Sequence, residues 1–214
     1  MPERAGLAPQ FASAQQRADA LELGMWTFLS TEVLLFGGVI LTYFVYRHAD
    51  PQAFAEAGRR TDIVIGAANT AVLLTSSFCV AAAVEAARAN VWRAARWLLV
   101  AAIVLGLVFL GLKGLEYASE YREHLVPGID FASNSPHTHG IELFFIFYFI
   151  ATGLHAIHLI CGIAALGIFA KWMGQPSACA RRQAGLRTAT LYWHFVDVIW
   201  IFLFALIYLP GRSG

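Results

Sequence analysis

Five stretches of this chain, roughly 25–46, 63–87, 97–117, 141–172 and 190–209, stay apolar for longer than a buried core helix requires. A hydrocarbon layer of about 30 Å is crossed by about 20 residues at about 1.5 Å each, so every one of the five is long enough to span a bilayer. Lipid offers no partner to a backbone N–H or C=O, and a segment crossing alone must satisfy those groups within itself, as a helix does. The expected fold class is therefore all-α, an integral membrane bundle of five transmembrane helices. Of the 214 residues, 58% are hydrophobic and only 14% charged, and the charges fall almost entirely between the apolar runs, where loops belong. The sequence divides into a polar amino-terminal segment (1–24), a membrane domain (25–209) and a short tail (210–214). The fourth run exceeds a straight crossing, which implies tilt or protrusion. No internal repeat is visible. The polar start has no short apolar stretch followed by a small-residue cleavage site, so a removable signal peptide is not expected.

Orientation follows from the cations. One side of the five-span topology collects Arg4, Arg17, Arg88, Arg93, Arg96, Lys171, Arg181, Arg182 and Arg187, nine in all; the other collects Arg47, Arg59, Arg60, Arg122 and Arg212, which is five. The positive-inside rule then predicts a cytoplasmic amino terminus and an outer carboxyl terminus. The longest outer loop, 118–140, carries the turn signals Pro127-Gly128 and Ser135-Pro136 rather than a separate domain. A net charge of +1 without a basic block gives no reason to expect nucleic acid. Cys79, Cys161 and Cys179 form no paired motif.

Polar groups inside the apolar runs are costly unless they face protein, and this makes them the candidate site residues. With the cytoplasmic start, Glu32 lies about 10 Å into the first span, with Asp197 at a comparable depth on the last. His194 lies nearer the inner surface. His155 and His158, three apart on the fourth span, share a helix face near the middle. These five form an expected inner polar layer with a structural role and a contact to protons or lipid. An outer layer is expected from Lys113, Glu116 and Glu120 on the third span and Glu142 at the start of the fourth, with Lys113 and a carboxylate pairing to hold two helices together. His137 and His139 belong to the outer loop. The small residues of the second span, among them Gly66, Ala67, Ala68, Ala71, Ser76 and Ser77, favour close helix approach, with Asn69 and Thr70 as interhelical hydrogen-bonding groups. Haem or metal ligation by His155, His158 and His194 competes with hydrogen bonding to Glu32, Asp197 or carbonyls. The bulky Leu154, Ile157, Leu159 and Ile160 weigh against room for a haem ring. No third-ligand pattern supports a metal, and no nucleotide loop or nucleophile motif is present.

Taken in order, the motifs resemble subunit III of the haem-copper oxidases in a five-span form. Ser30-Thr31-Glu32-Val33-Leu34-Leu35-Phe36-Gly37 resembles that family's Ser-Glu-Val-x-x-Phe-x-Gly signature, and Asn69-Thr70-Ala71-Val72-Leu73-Leu74 its Asn-Thr-x-x-Leu-Leu segment. Glu116-Tyr117, Thr152-Gly153-Leu154-His155-Ala156-Ile157-His158 and Tyr192-Trp193-His194-Phe195-Val196-Asp197 follow in the family's order. The resemblance implies an accessory subunit with no directly bound cofactor, stabilising catalytic subunit I and supporting proton uptake, beside further oxidase subunits and membrane phospholipid. Haem and copper, or non-haem iron, would sit in the partner. It also implies a bacterial cytoplasmic (inner) membrane. The mitochondrial type has seven spans and this chain starts at the third of them, so a lipid cleft there is absent or completed by another subunit. Relatives associated with nitric oxide reductase are the alternative within the family; a membrane haem protein or proton-coupled transporter is the alternative outside it.

Overall fold

A computed structural model describes residues 14–128, 131, 135–173 and 179–212. Residues 1–13 of the expected polar segment and 213–214 of the tail lie outside the described residues, as do the side chains of Arg17, Arg181 and Arg182. Six helices follow one another: α1 (Ala14–Ala49), α2 (Pro51–Arg60), α3 (Ile63–Arg88), α4 (Trp92–Arg122), α5 (Thr138–Trp172) and α6 (Cys179–Tyr208), with no strand among the described residues. All but α2 are long and apolar enough to cross a membrane. The crossing helices outrun the apolar runs: α1 begins eleven residues before Met25, and α4 continues through Ser119-Glu120-Tyr121-Arg122. Hydropathy marks the thickness of the lipid, whereas good helix formers such as Ala, Glu and Arg let the backbone continue into water.

α3, α4, α5 and α6 close into a four-helix ring, and α1 packs outside it across α5 and α6. One stripe of α4 explains the ring. Ala95, Leu99, Ala102, Gly106 and Phe109 are buried in its first half, and Lys113, Glu116 and Glu120 continue the same stripe at helical spacing in the second. The small residues of the first half admit α3 closely enough for Ser76 Oγ to donate to the Ala102 carbonyl at 3.1 Å. Trp193 of α6 fills the space beside two glycines. A Cβ on Gly106 would stand 3.1 Å from its ring, and one on Gly162 3.0 Å. At the other end a Cβ on Gly66 would meet the Tyr208 ring at 2.8 Å, so α3 reaches α6 there only because it carries glycine.

Sequence periodicity gave no sign of α2, a ten-residue helix over the end of the bundle opposite the start of α1. Its start is nonetheless written locally: Asp50 is the N-cap, its Oδ1 accepts from the Ala53 N–H at 3.1 Å, and Pro51 follows in the first turn. Phe54 then inserts between Tyr43 of α1 and Phe144 of α5, with ring centroids 5.2 Å and 5.6 Å away. Gly140 opens α5 against Ala53 and Asp50 so closely that a Cβ would collide with both. Arg212 closes the assembly from the carboxyl end, donating to the carbonyls of Gly58, Arg59 and Thr61.

The Ala53 N–H, more than the nearby His137 ring, holds the Asp50 carboxyl below the usual carboxylate range. A depressed carboxylate contributes stability that is present above its unfolded value and is lost as pH falls through the folded one. Thermal unfolding in detergent should therefore show an acid-side loss, below about pH 4, that is smaller in Asp50→Asn. Identical acid profiles would show that the cap does not carry this contribution.

Candidate functional site

The second half of the α4 stripe brings a charged group into the centre of the ring. Lys113 is 5% exposed, and an ammonium at such a place must use its three hydrogens. It does: Nζ donates to Glu116 Oε2 at 2.9 Å, to the Tyr148 hydroxyl of α5 at 2.9 Å and to the Tyr208 hydroxyl of α6 at 3.1 Å. Tyr208 in turn donates to Glu116 Oε1 at 2.6 Å, which closes a ring of charge-assisted bonds. The ammonium also sits 4.6 Å from the Tyr148 ring centroid, 5.2 Å from Tyr117 and 5.6 Å from Trp200, within the range of cation–π attraction.

The ion pair itself lies within α4, three residues apart, and not between two helices as the sequence suggested. The joining of helices falls to the phenols. Tyr148 and Tyr208 were missed in the sequence because a tyrosine in an apolar run reads as a membrane aromatic. The signal was the count of acceptors: one carboxylate cannot occupy three ammonium hydrogens. Tyr117 and Thr152 join α4 to α5 through their hydroxyls just beyond. Glu120 is 6% exposed, and neither oxygen has a hydrogen-bond partner among the described residues, although Lys113 and Tyr148 lie near enough to act on its charge. Glu142 is half-buried at the start of α5, and no described bond connects it to this cluster.

On the other half of the bundle the five expected groups do not form one hydrogen-bonded cluster. Glu32 and His158 meet between α1 and α5, Oε2 to Nε2 at 2.9 Å. His194 Nδ1 lies 2.6 Å from the Ser77 hydroxyl of α3. Asp197 is 3% exposed and approaches the same Ser77, but neither of its oxygens reaches hydrogen-bonding geometry among the described residues. His155 turns away from all of these into the ring, between Phe109 and Trp200, with centroids 5.5 Å and 5.1 Å away. Three residues on a helix are about 300° of rotation, which leaves His155 and His158 about 60° apart and aimed at different neighbours. Of the adjacent pair expected to bond between helices from α3, Thr70 accepts from Trp200 Nε1 at 3.0 Å, while buried Asn69 finds no partner among the described residues.

Chemically, the Lys113 cluster is closed and self-satisfied, and it suits the fixing of three helices better than turnover. Phe109 and Trp200 occupy the space a porphyrin would need beside His155. Among the described residues no group of three or more His, Cys, Asp or Glu is arranged to hold a metal ion.

The profile of the family described as cytochrome c oxidase subunit III matches residues 10–212. The chain belongs to this family. A cytochrome c oxidase subunit 3 from Thermostichus vulcanus is 31% identical over 212 residues, 98% of this chain and 97% of the relative. One from Corynebacterium diphtheriae is 30% identical over 94% of this chain and 93% of its own length. A protein named probable quinol oxidase subunit 3 from Staphylococcus haemolyticus is 27% identical over 89% of each. Subunit III is an accessory, multi-pass membrane subunit of a haem-copper oxidase, in a family whose members are typically free of cofactor. A bundle stabilised by its own buried ion pair fits that station.

Removing one partner of a buried ion pair leaves the other charged and unpaired, at a cost of about 3–5 kcal/mol. Lys113→Met should accordingly lower the unfolding free energy of the detergent-solubilised chain by about that much, and Lys113→Met with Glu116→Gln should recover most of it. A double variant no better than the single one would contradict the ion-pair reading.

Proposed function

We propose that this chain supports a respiratory cytochrome c oxidase-type complex, in which oxygen reduction is coupled to proton translocation, by packing against catalytic subunit I and keeping it competent. The observation that carries the reading is the match over nearly the whole chain to relatives of the same length, together with a bundle whose buried ion pair is satisfied internally. The haem and copper belong to the partner; this chain contributes packing and an environment for proton uptake and phospholipid. The bacterial cytoplasmic membrane is its seat, with the amino terminus cytoplasmic, a placement supported by the nine-to-five distribution of Lys and Arg across the two sides.

In this frame Glu32, His158, His194, Asp197 and His155 lie in and beyond the cytoplasmic half, and Lys113, Glu116, Glu120 and Glu142 lie toward the outer face. Of the first group, Glu32 with His158 and His194 with Ser77 tie α1 and α3 to the rest through single hydrogen bonds, and of the second, Lys113 and Glu116 fix the ring. Cytochrome c is favoured over quinol as donor to the complex by the names of the more similar relatives. The nitric oxide reductase alternative finds no support in those names.

An affinity tag on this chain, purified in mild detergent, should bring down a catalytic subunit with the reduced-minus-oxidised spectrum of a haem-copper oxidase. Recovery of the chain alone, or with a haem and non-haem-iron reductase, would overturn the assignment. Glu32→Ala and Asp197→Ala should each lower the ratio of this chain to the catalytic subunit several-fold and leave the haem spectrum unchanged.

A further inference from the structure

Glu116 has an ammonium beside it, whereas Asp197 has no cation. The Asp197 side chain is buried on α6, neither of its oxygens reaches hydrogen-bonding geometry, and Ser77 of α3 is the one side chain among the described residues that acts on it. Glu32 of α1, Cys79 of α3 and His155, His158 and Cys161 of α5 also belong to elements packed on α6, and none of them acts on Asp197 or on His194. An ionised carboxylate at such a place would carry an unbalanced charge among apolar groups, a cost that holding a proton removes. A route for that proton through polar atoms begins at Ser77. Its hydroxyl faces Asp197 and lies 2.6 Å from Nδ1 of His194, one turn back along α6. The imidazole is half-buried, and its Nε2 makes no bond among the described residues.

We propose that Asp197 is a proton-storage site inside the bundle, and that it exchanges its proton with the outside through Ser77 and His194. A hydroxyl has a single hydrogen, and this couples the three groups. While Asp197 is neutral, its O–H donates to Ser77 Oγ, Ser77 donates to a bare Nδ1, and the imidazole keeps its hydrogen on Nε2. The carboxyl reaches Ser77 by turning about its terminal torsion, for which the energy profile is broad. On release, the Asp197 O–H bond breaks as Oγ takes the proton, the hydrogen that Ser77 held passes to Nδ1, and Nε2 gives its own hydrogen to water. The end state is a carboxylate that accepts from Ser77 and a neutral imidazole that donates to Ser77 from Nδ1. One proton has left, and both hydrogen bonds have reversed direction. The tautomer of His194 therefore reports whether Asp197 holds its proton, and Ser77 is the positioning residue that links the two.

The test uses the full-length chain in lipid nanodiscs, with the carboxyl C=O stretch of Asp197 assigned in the infrared from Asp197→Asn and the ¹⁵N-labelled ring of His194 assigned from His194→Gln. As pH falls, the neutral-carboxyl band should grow in, and at the same midpoint His194 should pass from the Nδ1–H to the Nε2–H tautomer. Ser77→Ala should keep the carboxyl band, leave the His194 tautomer indifferent to it, and slow exchange of the carboxyl hydrogen with heavy water several-fold. Ser77→Thr restores the hydroxyl and should recover both the coupling and the exchange rate. The proposal would be overturned by a folded chain with no Asp197 carboxyl band at any pH, by a His194 ring that becomes an imidazolium while Asp197 stays a carboxylate, by a tautomer that does not change across the midpoint, or by a Ser77→Ala variant with wild-type coupling and exchange.

Discussion

Much of this bundle is organised around one buried ammonium. A lysine inside a membrane protein is tolerable only where its charge is balanced and its hydrogens are used. Lys113 meets both conditions with groups from three helices: Glu116 on its own helix, Tyr148 on α5 and Tyr208 on α6. Each partner is then committed to one rotamer and one depth. The Tyr208 ring lies flush against Gly66, so the position of α3 at this end follows from a bond in which α3 takes no part. The order of dependence runs from charge to phenol to glycine, and each step narrows the next.

The opposite half is held differently. Trp193 takes up the volume left by Gly106 and Gly162, and single hydrogen bonds such as Ser76 to Ala102 and His194 to Ser77 tie neighbouring helices. Packing against small residues needs no polar network, and this half consequently has buried polar groups with weaker obligations to one another. α1 is the extreme case. It lies outside the ring, carries exposed Val33, Leu34 and Leu41, and is tied at its middle through the Glu32–His158 pair. An accessory subunit built this way has an interior joined by a polar network and a first helix joined to it by single hydrogen bonds.

The five crossing helices were legible in the sequence because apolar length is a one-dimensional property: a run long enough to span lipid leaves the backbone little choice. The ends of the helices were less legible, since Ala, Glu and Arg extend a helix without registering as hydrophobic. α2 was invisible for the opposite reason. Its ten residues include Pro51, Glu56, Arg59 and Arg60, and only Ala53, Phe54, Ala57 and Gly58 are buried, so what fixes it is its contact with α5 and the carboxyl terminus. Lys113 and Glu116 were readable from their spacing, whereas their phenolic partners come from helices 35 and 95 residues away. The shared face of His155 and His158 was a fair inference from spacing, but which neighbour each ring meets depends on where α1 lies, and no local pattern encodes that.

The most direct measurement of the central claim is a cryo-electron microscopy map of the assembled oxidase at a resolution that shows side chains. The expected map has this chain beside the catalytic subunit, with the Lys113 ammonium enclosed by Glu116, Tyr148 and Tyr208 of the same chain. A Lys113 side chain extended to a carboxylate or haem propionate of another subunit would contradict the account, because the ion pair would then belong to the interface and not to the bundle's own core.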